Sequence, residues 1–171
     1  SFVRDKDAVS ACVMMAEIAA WAKDQGMSLY ELLTSIYVQY GFSKEKGISL
    51  VKQGKSGAEG IKHLMSQFRS CPPKEIAGSP VVLLKDYASL HQVDMLTGQS
   101  SMLDMPESAD VLQYFTADGT KISVRPSGTE PKIKFYVELR ESMQSAADLD
   151  AADAAATAKI AAVKQSLGLE V

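Results

Sequence analysis

The stretch VLQYFTADGTKISVRPSGTEPKIKFYVELR, residues 111–140, carries the pattern on which the fold turns. Two runs rich in β-branched and aromatic residues, Val111 to Ala117 and Thr120 to Arg125, flank Asp118-Gly119. That dipeptide is favoured in tight hairpin turns whose two central residues need positive φ. Successive side chains of a strand point to opposite faces, so Lys121, Ser123 and Arg125 share one face and Ile122 and Val124 the other. The alternation resumes after the next loop, with Lys132, Lys134 and Tyr136 opposite Ile133, Phe135, Val137 and Leu139. Antiparallel strands follow, with a polar face near the loop and an apolar face that another layer must cover.

The loop Arg125-Pro-Ser-Gly-Thr-Glu-Pro-Lys132 gathers the groups an oxyanion needs. The Arg125 guanidinium can grip two oxygens at once, and Ser127 and Thr129 each offer a hydroxyl donor. Gly128 is expected to turn successive N–H groups inward, while Pro126 and Pro131 stiffen the two sides. Arg125, Lys132 and Lys134 concentrate positive charge there, with Glu130 as the local anion. Phosphate is the ligand these parts suit best. The competing reading is a plain connection, since Pro, Ser, Gly and Thr are ordinary turn residues.

The run Arg-Pro-Ser-Gly-Thr-Glu-Pro-Lys-Ile-Lys-Phe-Tyr at 125–136 resembles the phosphate-binding loop of the α-D-phosphohexomutases, the family of phosphoglucomutases and phosphomannomutases. The resemblance implies that this loop lies in the fourth and last domain. There it would hold the substrate phosphate through Arg125, Ser127, Gly128 and Thr129, with Lys134 as a further basic contact. The segment Phe2-Val-Arg-Asp-Lys-Asp-Ala8 resembles the stretch that opens the last helix of the family's third domain, where a lysine reaches the active site. Lys6 takes that position and becomes a further candidate substrate contact, against the plainer reading of a solvated, charge-rich helix start.

On this resemblance residues 1–41 are the C-terminal helices of an α/β domain three, and residues 42–171 are domain four, whose fold in the family is TATA-box-binding-protein-like. The family's reaction moves phosphate between the C1 and C6 hydroxyls of a hexose, with hexose 1,6-bisphosphate as intermediate and activator. It uses a phosphorylated serine in domain one and Mg2+ held in domain two. Neither motif occurs here, so this chain is expected to hold no catalytic residue and no metal ligand. Alone it should be inactive, its partners being domains one to three and the phosphosugar.

Residues 5–25 read as a helix, with Asp5 or Asp7 serving its N-terminus and Gly26 its stop. Ser28 and Glu31 form a capping box for a second helix that Gly41 ends. Two such helices must bury their apolar faces against a sheet this chain does not supply. A half-buried strand is expected within 42–54, and a helix over 57–70 opened by a Ser56-Glu59 box, carrying Ile61, Leu64, Met65 and Phe68, and stopped by Pro72-Pro73. Val81 to Leu84 mark a strand, and residues 88–110 read mainly as loop with a strand around Leu90 to Met95. The last helix carries Leu149, Ala152, Ala156, Ile160, Val163 and Leu167 at helical spacing. The expected class is α+β, an antiparallel sheet of about four strands covered by two helices.

The 171 residues suffice for one sizeable domain, or one domain and a piece of another. The 46% hydrophobic and 23% charged residues are ordinary for a globular protein, and nothing in them suggests disorder. The formal charge of -3 argues against nucleic acid, which would call for a net basic face, and favours a small anion for a local basic loop. Cys12 and Cys71 lie far apart without Cys-x-x-Cys spacing, so buried, reduced thiols are expected rather than a zinc site or disulfides. His63 and His91 have no partner at ligand spacing. The lack of a signal pattern or a membrane-spanning apolar run of about 20 residues fits a cytoplasmic protein with no membrane partner. Ser1 leads almost at once into a helix, so the chain is expected to be a piece lacking its N-terminal part. The alternative of a different class is a free-standing regulatory module that binds a phosphorylated metabolite without catalysis. The sugar-recognition loop of the family would precede residue 1, which leaves glucose, mannose and pentose phosphates open.

Overall fold

Ile122 and Val124 are fully buried while Lys121, Ser123 and Arg125 between them are not, and strand β7 (Lys121–Pro126) forms on that alternation. These positions come from a computed structural model, which describes residues 5–52, 54–128 and 130–169. Strand β6 (Leu112–Thr116) pairs antiparallel with β7, setting Leu112 opposite Val124 and Phe115 opposite Lys121. The connection differs from a two-residue turn, because Gly119 has φ 84° while Asp118 stays out of the left-handed region. Thr116 accepts from the Gly119 N–H at 3.0 Å and donates its own N–H to the Thr120 carbonyl at 3.0 Å. A three-residue loop closed by a left-handed glycine results, so positive φ is needed once and not twice.

Strand β8 (Lys132–Glu141) lies on the other side of β7, antiparallel, with Val124 opposite Phe135 and Arg125 opposite Lys134. Around this centre lie β1 (Phe42–Val51), β2 (Glu75–Ile76), β3 (Ser79–Asp86), β4 (His91–Asp94) and β5 (Ser100–Met102). The sheet order is β1-β8-β7-β6-β3-β4-β5, with β2 paired to β3, eight strands in all among the described residues. The pairings with a defined register are antiparallel. The α+β class holds, and the sheet is wider than about four strands. Part of that width arises within residues 88–110, where β4 falls as expected and β5 adds a strand whose side chains are all exposed. A strand with neither face buried shows no apolar alternation to read.

Two helices cover the apolar face. Helix α3 (Gly54–Ser70) buries Ile61 and Met65, and its Phe68 ring stands 5.6 Å from that of Phe135 in an edge contact. The buried Tyr114 hydroxyl donates to the Phe68 carbonyl at 2.9 Å, and burial pushes this phenol's pKa up, so it stays a donor. The helix starts at Gly54, which puts Ser56 inside the first turn and not at a cap, so the expected Ser56-Glu59 box is not formed there. Helix α4 (Leu149–Ser166) buries Ala156, Ile160 and Val163. It crosses the sheet: Lys44 of β1 reaches Asp153 at 2.7 Å, Lys159 reaches Asp118 at 2.8 Å, and Ser166 accepts from the Ala77 N–H at 3.2 Å.

The chain divides into two compact units, Ser1–Phe42 with Ser142–Ala152, and Ser43–Glu141 with Asp153–Val171. In the first, α1 (Ala8–Asp24) is capped by Asp7, which accepts from the Val9 N–H at 2.9 Å. Helix α2 (Leu29–Tyr40) opens with the reciprocal Ser28-Glu31 box, and Gly41 follows at φ 92°. Their apolar side chains Val9, Val13, Met14, Trp21, Leu33 and Tyr40 are exposed. Cys12 and Cys71 are exposed free thiols, not buried ones, because Cys12 sits on that uncovered helix and Cys71 in the bend after α3. Among the described residues no helix is long and apolar enough to cross a membrane.

Candidate functional site

The register of β7 and β8 decides what faces what. On their polar face Lys121 lies opposite Glu138, Ser123 opposite Tyr136, and Arg125 opposite Lys134. The first of these pairs is compensated by an ion pair between Lys121 and Glu138. The last, at the strand ends beside the loop, sets two cations against each other, and among the described residues Arg125 and Lys134 have no ion-pair partner. Like charges directly opposite on one sheet face repel. Lys132 is differently placed: it is ion-paired with Glu130, whose carboxyl is held below its usual range by the hydrogen bond from Lys132, then by the charges of Lys132 and Lys134.

Ser127 donates its backbone N–H to the Lys132 carbonyl at 2.8 Å, which closes the loop's base, and Lys132 donates to Glu130 at 2.7 Å. Gly128 does not occupy the left-handed region, and a Cβ built there would meet nothing within 4 Å. Neither a left-handed turn nor a crowded neighbour thus accounts for the glycine. Thr129 lies outside the described residues. Lys6, in the other unit, has a side chain 96% exposed and pairs with Asp5 at 2.9 Å. The structure thus brings together Arg125, Ser127, Gly128 and Lys134 within the second unit, while Lys6 belongs to the first.

Next to the loop an open cleft of about 890 Å³ is bounded by Ala58, Ile61, Lys62 and Met65 of α3, by residues 109–111, and by Arg125 to Gly128 with Glu130 and Pro131. Asp110 on its wall is engaged by Arg69 at 2.7 Å, and Arg69 also bonds Asp86 at 3.0 Å. Burial opposes the Arg69 charge, but its bonds to Asp110 and Asp86 prevail and raise its pKa. Across the polar face runs a hydrogen-bonded row in which Tyr87 donates to Gln113 at 2.9 Å and Gln113 to Ser123 at 3.0 Å. These residues went unnoticed in the sequence because nothing local links them. Among the described residues no group of three His, Cys, Asp or Glu side chains could hold a metal ion.

The model of the phosphoglucomutase/phosphomannomutase C-terminal domain matches residues 81–163, the span holding β6, β7, the loop and β8. This part of the chain belongs to that family. A phosphoglucomutase of Staphylococcus epidermidis is 37% identical over 138 residues, which are 81% of this chain and 25% of that protein. One from Staphylococcus aureus is 39% identical over 141 residues, with the same two shares of 81% and 25%. The chain thus spans about a quarter of the length of the curated relatives it matches. Among solved structures, the open form of the Paramecium exocytosis-sensitive phosphoprotein pp63/parafusin, a phosphoglucomutase, is 18% identical over 97% of this chain and 28% of its own, with a TM-score of 0.47.

Proposed function

We propose that this chain is the substrate-phosphate-binding, C-terminal part of a phosphoglucomutase/phosphomannomutase, the whole enzyme transferring phosphate between C1 and C6 of a hexose in the cytoplasm. Residues 1–41 would close the third domain and 42–171 form the fourth. The observation that carries the reading is the cross-strand pair of cations Arg125 and Lys134 at the mouth of the loop, neither in an ion pair among the described residues. A phosphate dianion between them turns a repulsion into two charge-assisted contacts. Arg125 would bind two oxygens, Lys134 add a point charge, Ser127 and Thr129 donate hydroxyls, and Gly128 a backbone N–H. Lys6 would be a further substrate contact.

Such a clamp suits the chemistry. A bisphosphorylated intermediate must turn over to donate from either end, so one site must accept either phosphate. A loop that reads phosphate and ignores the sugar does so. Mg2+, held by the second domain, would neutralise charge on the transferring phosphoryl group. This chain's residues bind and orient; none is proposed as nucleophile or metal ligand.

The test is titration calorimetry with glucose 1-phosphate. One phosphate held by a few donors on an open surface should bind with a dissociation constant on the order of a millimolar. A hydrogen bond to a charged group contributes about 1.5–3 kcal/mol, so Arg125→Ala should weaken binding roughly ten- to a hundred-fold. The purified chain should not interconvert glucose 1-phosphate and glucose 6-phosphate. Equal affinity in the variant, or turnover by this chain, would sink the proposal.

A further inference from the structure

Beyond β7 and β8, the strands it joins, the loop from Pro126 to Pro131 is tied down by one backbone hydrogen bond among the described residues: the Lys52 N–H donates to the Pro131 carbonyl at 2.9 Å. Its other bonds, Ser127 to Lys132 and Lys132 to Glu130, are internal. On the α3 side the open cleft separates loop from helix. Lys52 follows the last residue of β1, and its own carbonyl is pressed against the first turn of α3. A Cβ at Gly57 would lie 2.2 Å from the Lys52 oxygen and 2.5 Å from its carbonyl carbon. Those are backbone atoms, so no side-chain rotation relieves the clash. The Lys52 side chain then runs past Gly60, where a Cβ would meet its Cδ at 3.3 Å.

We propose that Lys52 and Gly57 are positioning residues for the phosphate loop: Gly57 makes room for the Lys52 backbone, and the Lys52 N–H fixes Pro131 and with it the register of Ser127 and Gly128 toward the anion. This rests on the reading of the loop given above. It accounts for a glycine inside a helix, where alanine is otherwise favoured. Lys52 acts here through its peptide group and not its ammonium, so the identity of its side chain is secondary.

The experiment compares Gly57→Ala, Lys52→Ala and Arg125→Ala with the parent chain, using inorganic phosphate as ligand and amide chemical shifts as readout. Gly47→Ala is the control, since a Cβ there meets nothing within 4 Å. A fifth protein replaces Lys52 by its α-hydroxy acid, which removes the N–H donor and leaves α3 untouched should Gly57→Ala fold poorly. Gly57→Ala and the ester should shift the free-protein amides of Ser127 and Lys132 and weaken phosphate binding about three- to tenfold, the range of one net hydrogen bond. Lys52→Ala and Gly47→Ala should do neither. Unmoved loop amides in both Gly57→Ala and the ester overturn the inference, as does a loss of affinity in Lys52→Ala equal to theirs, which would make the ammonium a ligand. Unchanged phosphate affinity in Arg125→Ala would instead reject the assignment of the loop, while the loop amides still decide whether Lys52 and Gly57 position it.

Discussion

Asp118 shows how much one side chain can organise. Burial pushes its carboxyl pKa up, but the Lys159 ammonium at 2.8 Å, the hydroxyls of Thr116 at 2.6 Å and Thr120 at 2.8 Å, and the Thr120 N–H outweigh it and hold the group well below its ordinary value. A carboxyl depressed in the folded state adds stability above its unfolded pKa of about 3.9, and that contribution is lost as pH falls through the folded pKa. The unfolding midpoint should therefore drop as pH is lowered below about 4, and Asp118→Asn should flatten that dependence. At neutral pH the same change should cost about 1–2 kcal/mol, after allowance for screening of a partly exposed pair. A slope against pH identical in both proteins would contradict this account. The chemistry at Asp118 could not be read from the sequence, which marked it only as a turn residue. Its partner Lys159 lies on α4, and no local spacing connects the two.

At the level of elements, periodicity was the reliable guide. The apolar alternation in β7 and β8 and most of the helical stripe in α3 and α4 fall in the core that the structure buries, while Leu64, Phe68, Leu149 and Leu167 at the stripes' margins are half-buried. Where cover depends on tertiary neighbours the pattern is silent: β5 exposes both faces, and Cys12 and Cys71 stay in solvent although cysteine is usually buried. Gly57 inside α3 went unread in the sequence, because the Lys52 backbone that crowds it is visible only in the fold. Of the candidate site, the loop residues were legible because they are local in sequence, and the Lys52 bond to Pro131 was not because its partners lie far apart in the chain. Met65, 2% exposed on α3, tests the layer itself. Met65→Ala should lower stability by about 2–4 kcal/mol in denaturant titration. Phosphate affinity below the transition should remain that of the parent, because the anion's donors stand on β7, the loop and β8; a matching loss of affinity would bring the α3 wall of the cleft into the site.

For the whole molecule the open faces of α1 and α2 weigh most. Exposed apolar residues on two helices, such as Val13, Met14, Trp21 and Leu33, favour association with whatever can cover them, a second copy included. Sedimentation should show concentration-dependent self-association of the chain, reduced when residues 1–41 are removed, with cooperative unfolding kept by the remainder. Loss of cooperativity on deletion would place the boundary elsewhere, and the grouping of Ser142–Ala152 with the first unit names where to look. The opposed cations Arg125 and Lys134 have a wider consequence. A folded state that stores repulsion at one spot is linked to every anion able to relieve it, by an amount that grows with the logarithm of concentration. At ten times its dissociation constant such an ion adds about 1.4 kcal/mol of stability. On the proposed function, the choice of buffer salt then becomes a thermodynamic variable of this protein, and a melting curve recorded in phosphate would describe a liganded species.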